Sequence, residues 1–302
     1  MKVITSANLQ EISTPTAVAL GNFDGVHLGH QRVIAPIVPS PLVSTVVSFQ
    51  PHPQEFFQKI SRPQLTPLPE KIEILQNLGV KQFVLLTFDQ ELAQLSAPEF
   101  IEQILQAKLQ AERVSVGFNF RFGRGRKGSV ADLKRVWGKN LHTITEQCLS
   151  ESIRISSTNI RAGLSRGDLP LVFRMLGRPY SLVGQVVPGQ QLARKLGFPT
   201  ANLRLPEVKF LPRYGVYGVQ VDCVWGKNLA GVMNIGCRPT VVGEGVVCEV
   251  HILGGQGDLY GTEMRVRLIS FIRSEQKFNS VEELRLQIAQ DCLAVQQQGV
   301  LV

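Results

Sequence analysis

The period of the apolar residues changes near residue 180, and this change constrains the fold more than any other feature of the chain. Before it, the runs Ala17 to Leu20, Leu42 to Phe49, Phe83 to Phe88 and Val114 to Gly117 are apolar without strict alternation. Strands of that kind are covered on both faces, as in a parallel sheet with crossover helices. Pro98 to Ala111 is the clearest helix, opening on a Ser96/Glu99 capping box with Ile101, Ile104, Leu105 and Leu109 on one face. Beyond Tyr180 the runs Val219 to Cys223 and Met264 to Leu268 alternate, and glycines and prolines recur between them. That texture predicts an antiparallel sheet or small barrel. A last helix is expected behind a Ser280/Glu283 box, with Val281, Leu284, Ile288 and Cys292 on one face. Ala162 to Arg178, with a helix over Leu169 to Leu176, joins the halves. The two textures and a length of 302 residues predict two domains, 1–179 and 180–302.

In a parallel sheet, ligands bind beyond the C-terminal strand ends. The first such end carries Gly21-Asn-Phe-Asp-Gly-Val-His-Leu-Gly-His30. Gly21, Gly25 and Gly29 let the main chain bend and approach a ligand, and the following helix offers N–H groups to an anion. Phe23 and Asp24 precede His27 and His30, which stand one turn apart. A phosphate contacted by both imidazoles has the setting that displacement at phosphorus requires. Zinc would need a third ligand, and none is obvious nearby. Phe49-Gln-Pro-His-Pro53 faces the same edge, and His52 either lines the site or is a solvated residue in a proline-fixed turn. Val116 to Gly123 presents Asn119 and Arg121 to a nucleotide phosphate or base, with aromatics to flank a planar ring. Arg interleaved with Phe also fits nucleic acid, but the basic residues 124–127 form one glycine-broken loop rather than a stripe. Ser156, Ser157, Thr158 and Arg161 open another helix in the manner of a polyphosphate cradle.

In the second half, Ala193 to Leu203 holds a loop fixed by Gly197 and Pro199, after which Thr200 and Asn202 present neutral oxygens. Such oxygens suit Mg²⁺ already bridged to nucleotide phosphates, although the stretch taken alone reads more simply as a plain loop before a strand. Cys248 to Leu253 alternates, so Glu249 and His251 share the face opposite Cys248, Val250 and Ile252. A carboxylate there can act as general base toward a hydroxyl. Standing alone, it reads more simply as a solvent-facing glutamate on a half-buried strand.

The first-half motifs, taken in order, resemble the adenylyltransferase module of bacterial FAD synthetases, from about residue 14 to residue 165. The motifs are H-x-G-H, F-x-P-H-P, V-G-x-N-F-R-F-G and I-S-S-T-x-I-R. The resemblance implies a Rossmann-like fold in which His27 and His30 contact ATP phosphates as the α-phosphate is transferred. It makes Ser156, Ser157, Thr158 and Arg161 further phosphate ligands, with Phe49 and His52 near the flavin. Asn119 falls where members carry Asp or Asn, and Pro36, Pro39 and Pro41 shorten the helix after His30. P-T-A-N at 199–202, G-V-M-N-I-G-C-R-P-T at 231–240, E-V-H-I-L at 249–253, D-L-Y-G at 258–261 and F-I-R-S-E-Q-K-F at 271–278 resemble a riboflavin kinase module, over about residues 181 to 292. This implies a six-stranded Greek-key barrel with a C-terminal helix, Thr200 and Asn202 on Mg-ATP, and Glu249 as base toward the flavin 5′-hydroxyl. Arg194, Gly197 and Pro199 belong to the ATP loop, and Arg273, Glu275 and Phe278 shape the riboflavin site. Ala193 replaces the usual glycine before Arg194. The whole resembles the bifunctional riboflavin kinase and FAD synthetase family, with Mg²⁺ as cofactor and ATP, riboflavin and FMN as substrates.

A net charge of +8 suits anionic ligands. Cys148, Cys223, Cys237, Cys248 and Cys292 are scattered and odd in number, as expected of reduced cytoplasmic thiols. No signal-peptide core and no run of membrane-spanning length stands in the sequence. Small-molecule partners are therefore expected, with no nucleic acid, no membrane, and at most a weak or transient homo-oligomer. Two other classes fit part of the pattern. A nucleotidylyltransferase for another phosphorylated alcohol would leave the second half unexplained, and a basic nucleic-acid-binding protein would leave the paired motifs unexplained.

Overall fold

The computed structural model describes residues 1–149, 153–189, 196–240, 243–255 and 257–297. By its internal contacts the chain forms two compact units, Met1–Ser157 and Thr158–Val302.

The first unit is built on a six-stranded parallel sheet in the order β1-β4-β3-β2-β5-β6. Its strands are β1 (Lys2–Thr5), β2 (Thr16–Leu20), β3 (Val43–Gln50), β4 (Gln82–Thr87), β5 (Ala111–Gly117) and β6 (Leu141–Ile144). The connecting helices are α1 (Leu28–Ile34), α2 (Pro53–Gln58), α3 (Leu68–Asn77), α4 (Gln90–Gln94), α5 (Ala97–Glu99) and α6 (Val130–Trp137). All five residues of β2 are buried. Val18 and Leu20 enter the apolar cluster on one face of the sheet, Ala17 and Ala19 the cluster on the other. Covering both faces removes any reason for alternation, which is why the sequence shows none. The edge strands β1 and β6 fall outside the apolar runs, because an edge needs less burial. The expected helix over Pro98 to Ala111 is corrected. The Ser96/Glu99 box closes as read, but the chain then widens into a π-helix over Phe100–Lys108. There Leu109 N–H bonds to the carbonyl of Ile104, five residues back, and Gln110 turns into the left-handed region so that β5 can start at Ala111. The chain leaves β2 toward β3 on one side and returns to β5 on the other. The topological switch point therefore lies between the ends of β2 and β5.

The second unit takes in α7 (Ser157–Arg166) from Thr158 on and α8 (Leu169–Leu176), the latter capped by Asp168. A closed barrel follows in the order β10-β11-β8-β7-β12-β9. It comprises β7 (Tyr180–Val187), β8 (Ala201–Arg204), β9 (Gly215–Cys223), β10 (Gly226–Thr240), β11 (Gly243–Ile252) and β12 (Glu263–Arg273). Strands β9, β10 and β11 run as a meander and β12 returns beside β9, which is a Greek key. Met264, Val266 and Leu268 are buried between half-buried neighbours, as period two requires. Helix α9 (Val281–Gln297) closes the chain. Its Glu283 N–H is capped by Ser280 Oγ at 3.1 Å, while the Glu283 carboxylate accepts from Asn279 N–H at 2.9 Å. Cys292 and Val295 are buried on the barrel, but Val281, expected on that face, is 57 % exposed, because it lies in the first turn and meets solvent.

Candidate active sites

The first site forms where β2 hands the chain to α1. Phe23 and Val26 take left-handed backbone angles, φ 51° and 38°. Such angles are unfavourable for both residue types, and they persist here because both side chains are buried, at 1 % and 0 % exposure. Phe23 thus anchors the turn from beneath. Its Cζ lies 3.1 Å from where a Cβ on Gly21 would be, and its edge meets the His30 ring at 5.3 Å. Asp24 also has a supporting role. Its Oδ1 accepts from the N–H groups of Leu65 and Thr66 at 2.9 and 3.2 Å, while Gly25 N–H donates to Thr66 Oγ1 at 2.9 Å. Lys71 Nζ donates to the Asn22 carbonyl at 3.0 Å. Burial pulls the Lys71 pKa down and the nearby Asp24 charge opposes that shift.

The upper part of this turn is the histidine pair. His27 caps α1 by accepting His30 N–H on Nδ1 at 3.2 Å, so a neutral His27 carries its proton on Nε2. The two rings stack with centroids 3.6 Å apart and 15° between their planes. A Cβ on Gly29 would lie 3.1 Å from His27 Cε1, so the glycine leaves that ring its place. Ser157 Oγ donates to the Asp24 carbonyl at 2.7 Å, which brings the Ser156–Ser157 pair to the turn. Thr158 and Arg161 are counted with the second unit, where the Arg161 guanidinium lies over Phe210 at 5.7 Å.

One further segment touches this turn, and another follows the neighbouring strand β5. His52 caps α2 with Nδ1 3.1 Å from Gln54 N–H, and its Nε2 stands 2.9 Å from the Asn22 amide. His52 thus caps a proline-started helix and also touches the opening turn. Burial, then the Arg62 charge, lowers its pKa below 6.5. Phe49 meets Phe88 edge-on at 6.1 Å, and Phe57, 67 % exposed, packs on Phe88 at 5.8 Å. After β5, Asn119 and Arg121 are exposed while Phe120 packs against the core and Phe122 is buried. The N-F-R-F spacing thus sends apolar rings inward and polar groups outward.

The second site lies on one face of the barrel strands, outside the buried set Cys248, Val250 and Ile252. Glu249 pairs with Asn202 of β8 on one side and with Asn234 of β10 on the other. Residues directly opposite in antiparallel strands share a face, so the three polar side chains form one row. Glu249 and Asn234 of this row line a cavity of ≈ 200 Å³ together with Thr200, Arg273, Glu275 and Phe278. A Cβ on Gly189 would come within 2.1 Å of the Asn202 amide, so the glycine lets that amide lie against the loop backbone. Glu275 takes the equivalent space over Gly236. Arg273 is gripped by the buried Asp291 of α9, Nε to Oδ1 at 2.9 Å and Nη2 to Oδ2 at 2.8 Å, and lies over the Phe278 ring at 5.8 Å. Gly197 takes φ 90° in the preceding loop, Pro199 is exposed, and Arg194 lies outside the described residues.

Four contributors were not singled out from sequence. Asn234 carried a signal, because it is the outward residue between Met233 and Ile235, both fully buried. Asn22, Lys71 and Asp291 carried none, since each acts on a partner distant in the chain.

Comparison with known proteins agrees with this layout. Residues 9–159 match the FAD synthetase family model and residues 176–298 the riboflavin kinase family model. Relatives described as bifunctional riboflavin kinase/FMN adenylyltransferase include one from Pseudomonas fluorescens, 39 % identical over 95 % of this chain and 94 % of the relative. Another, from Escherichia coli K12, is 39 % identical over 93 % of this chain and 91 % of the relative. A solved structure from Streptococcus pneumoniae, described as a macrolide-efflux protein, covers 98 % of this chain and 99 % of its own, with TM-score 0.88 and 29 % identity. The efflux description stays with that protein. Two family matches in the order of the two units, with relatives aligned over nearly their whole length, place the chain in the bifunctional riboflavin kinase/FMN adenylyltransferase family.

Proposed function

We propose that the two reactions of the family run at the two sites described above. The observation that carries this reading is the cross-strand row Asn202–Glu249–Asn234, which sets a carboxylate between neutral donors at the rim of a cavity. Glu249 takes the proton of the riboflavin 5′-hydroxyl while that oxygen bonds to the γ-phosphorus of ATP. The bond to the β,γ-bridging oxygen breaks, giving FMN and ADP. Thr200 and Asn202 would hold Mg²⁺, which would supply charge neutralisation for the nucleotide phosphates; their neutral oxygens suit a hard cation. Arg273, Glu275 and Phe278 shape the riboflavin pocket, and Arg194, Gly197 and Pro199 belong to the loop over ATP.

In the first unit, an FMN phosphate oxygen attacks the α-phosphorus of a second ATP, pyrophosphate leaves, and FAD forms. That nucleophile is anionic near neutral pH. The site therefore needs alignment and charge neutralisation more than a base, which His27, His30, Ser156, Ser157, Asn119 and Arg121 supply. Phe49 and His52 lie on the flavin side. We place the module boundary at 179/180, just inside the start of the second family match at 176, whereas the internal contacts assign the linking helices from Thr158 on to the second unit. A cytoplasmic location is supported by five unpaired cysteines. The ligands in this reading are small molecules, with neither nucleic acid nor membrane as partner and self-association no stronger than a weak or transient homo-oligomer.

Chromatography of products from purified protein, riboflavin, ATP and Mg²⁺ tests the reading. FMN and then FAD should appear, and FAD should fail to form when ATP is replaced by a non-cleavable α,β-analogue supplied with FMN. Absence of both flavin products from folded protein would overturn it.

A further inference from the structure

The ladder between β8 and β11 pairs Asn202 with Glu249 and Ala201 with Val250. One residue beyond, a side chain continues the connection: His251 Nδ1 lies 2.8 Å from the Pro199 carbonyl oxygen. A carbonyl only accepts, so Nδ1 carries the hydrogen, and a neutral ring leaves Nε2 as an acceptor. The ring plane is fixed by Phe198, whose centroid is 5.6 Å away at 86°. His251 lies on the same strand face as Glu249, two residues on, and both line the cavity. One imidazole thus ties the strand that bears the carboxylate to the turn that delivers Thr200 and Asn202.

We propose that His251 is a positioning residue of the kinase reaction, whose Nδ1–H tether to Pro199 holds Thr200 and Asn202 at fixed spacing from Glu249. The proposal rests on the assignment of those three residues to the kinase site. Pro199 is exposed, so the bond adds little to global stability, and its loss should fall on nucleotide binding.

The test compares His251→Asn, His251→Gln and His251→Ala in the full chain. FMN formation is measured with KM for Mg-ATP and for riboflavin, alongside FAD formation from supplied FMN and thermal unfolding. Asn offers an N–H near the position of Nδ1, whereas Gln offers it near Nε2. The tether predicts that Asn keeps KM for Mg-ATP within about twofold while Gln and Ala raise it about fivefold or more, the scale of one lost hydrogen bond. FAD formation should not move, and any rise in riboflavin KM should be smaller than the rise in KM for Mg-ATP. Equal behaviour of Asn and Gln, no change in any variant, or a loss confined to riboflavin KM would each overturn the proposal. If Ala lowers the unfolding temperature, the Asn/Gln pair still decides. A Glu249→Gln control separates the two levels: parental FMN formation there would refute the site assignment, whereas a dead control leaves the tether alone on trial.

Discussion

Asp291 grips Arg273 through two parallel hydrogen bonds, and its side chain is 4 % exposed. Deleting the carboxylate strands the guanidinium without its partner in a low-dielectric setting, a change that costs about 3–5 kcal/mol in buried pairs. Asp291→Ala should therefore speed hydrogen exchange in β12 and α9 and raise KM for riboflavin by at least about tenfold; unchanged protection there would show that the pair is dispensable. His52 gives a pH signature. Its folded-state pKa is depressed by burial first and Arg62 second. The unfolded chain thus binds more protons between that value and 6.5, and the neutral ring's contribution to stability is lost as pH falls through the window. The His52 ring resonance, assigned by its disappearance in His52→Gln, should titrate with a midpoint below 6.5, and a midpoint above it would contradict the burial argument. The residues proposed to carry the chemistry, His27, His30, Thr200, Asn202 and Glu249, stand out in the sequence because each sits in a short local motif. Their supports were not, because Lys71 reaches Asn22 across 49 residues, Asn22 reaches His52 across 30, and Asp291 reaches Arg273 across 18. No local pattern encodes such pairs.

Elements were legible where burial imposes a period and illegible where it does not. The strands β2 to β5, β9, β11 and β12 declare themselves through covered or half-covered faces, whereas β1, with one buried residue in four, has no pattern to read. The π-widened segment was read as a plain helix because its apolar spacing serves either geometry; the difference is decided by the left-handed Gln110 and the start of β5. At the turn after β7, Gly189 makes room for the Asn202 amide. A methyl group there displaces a short side chain rather than backbone. Gly189→Ala should therefore raise KM for Mg-ATP in FMN formation by about tenfold while unfolding moves little. A large fall in unfolding temperature with unchanged KM would mean that the glycine serves the fold instead of the ligand.

At the scale of the molecule, two hydrophobic periods correspond to two compact units, and each unit holds its own proposed catalytic set. The first unit places stacked imidazoles at a helix start beside the switch point of a parallel sheet, a setting for aligning phosphates. The second places a carboxylate in a row of neutral donors on a closed barrel. The positive net charge serves both, since every proposed substrate except riboflavin is an anion. The central claim is that one chain carries two separable phosphoryl chemistries. The most direct measurement assays Glu249→Gln and the double variant His27→Ala with His30→Ala, each for FMN from riboflavin and for FAD from supplied FMN. Glu249→Gln should lose FMN formation by at least about a hundredfold and keep FAD formation, and the double histidine variant should do the reverse. Parallel loss of both activities in either folded variant would contradict two independent sites.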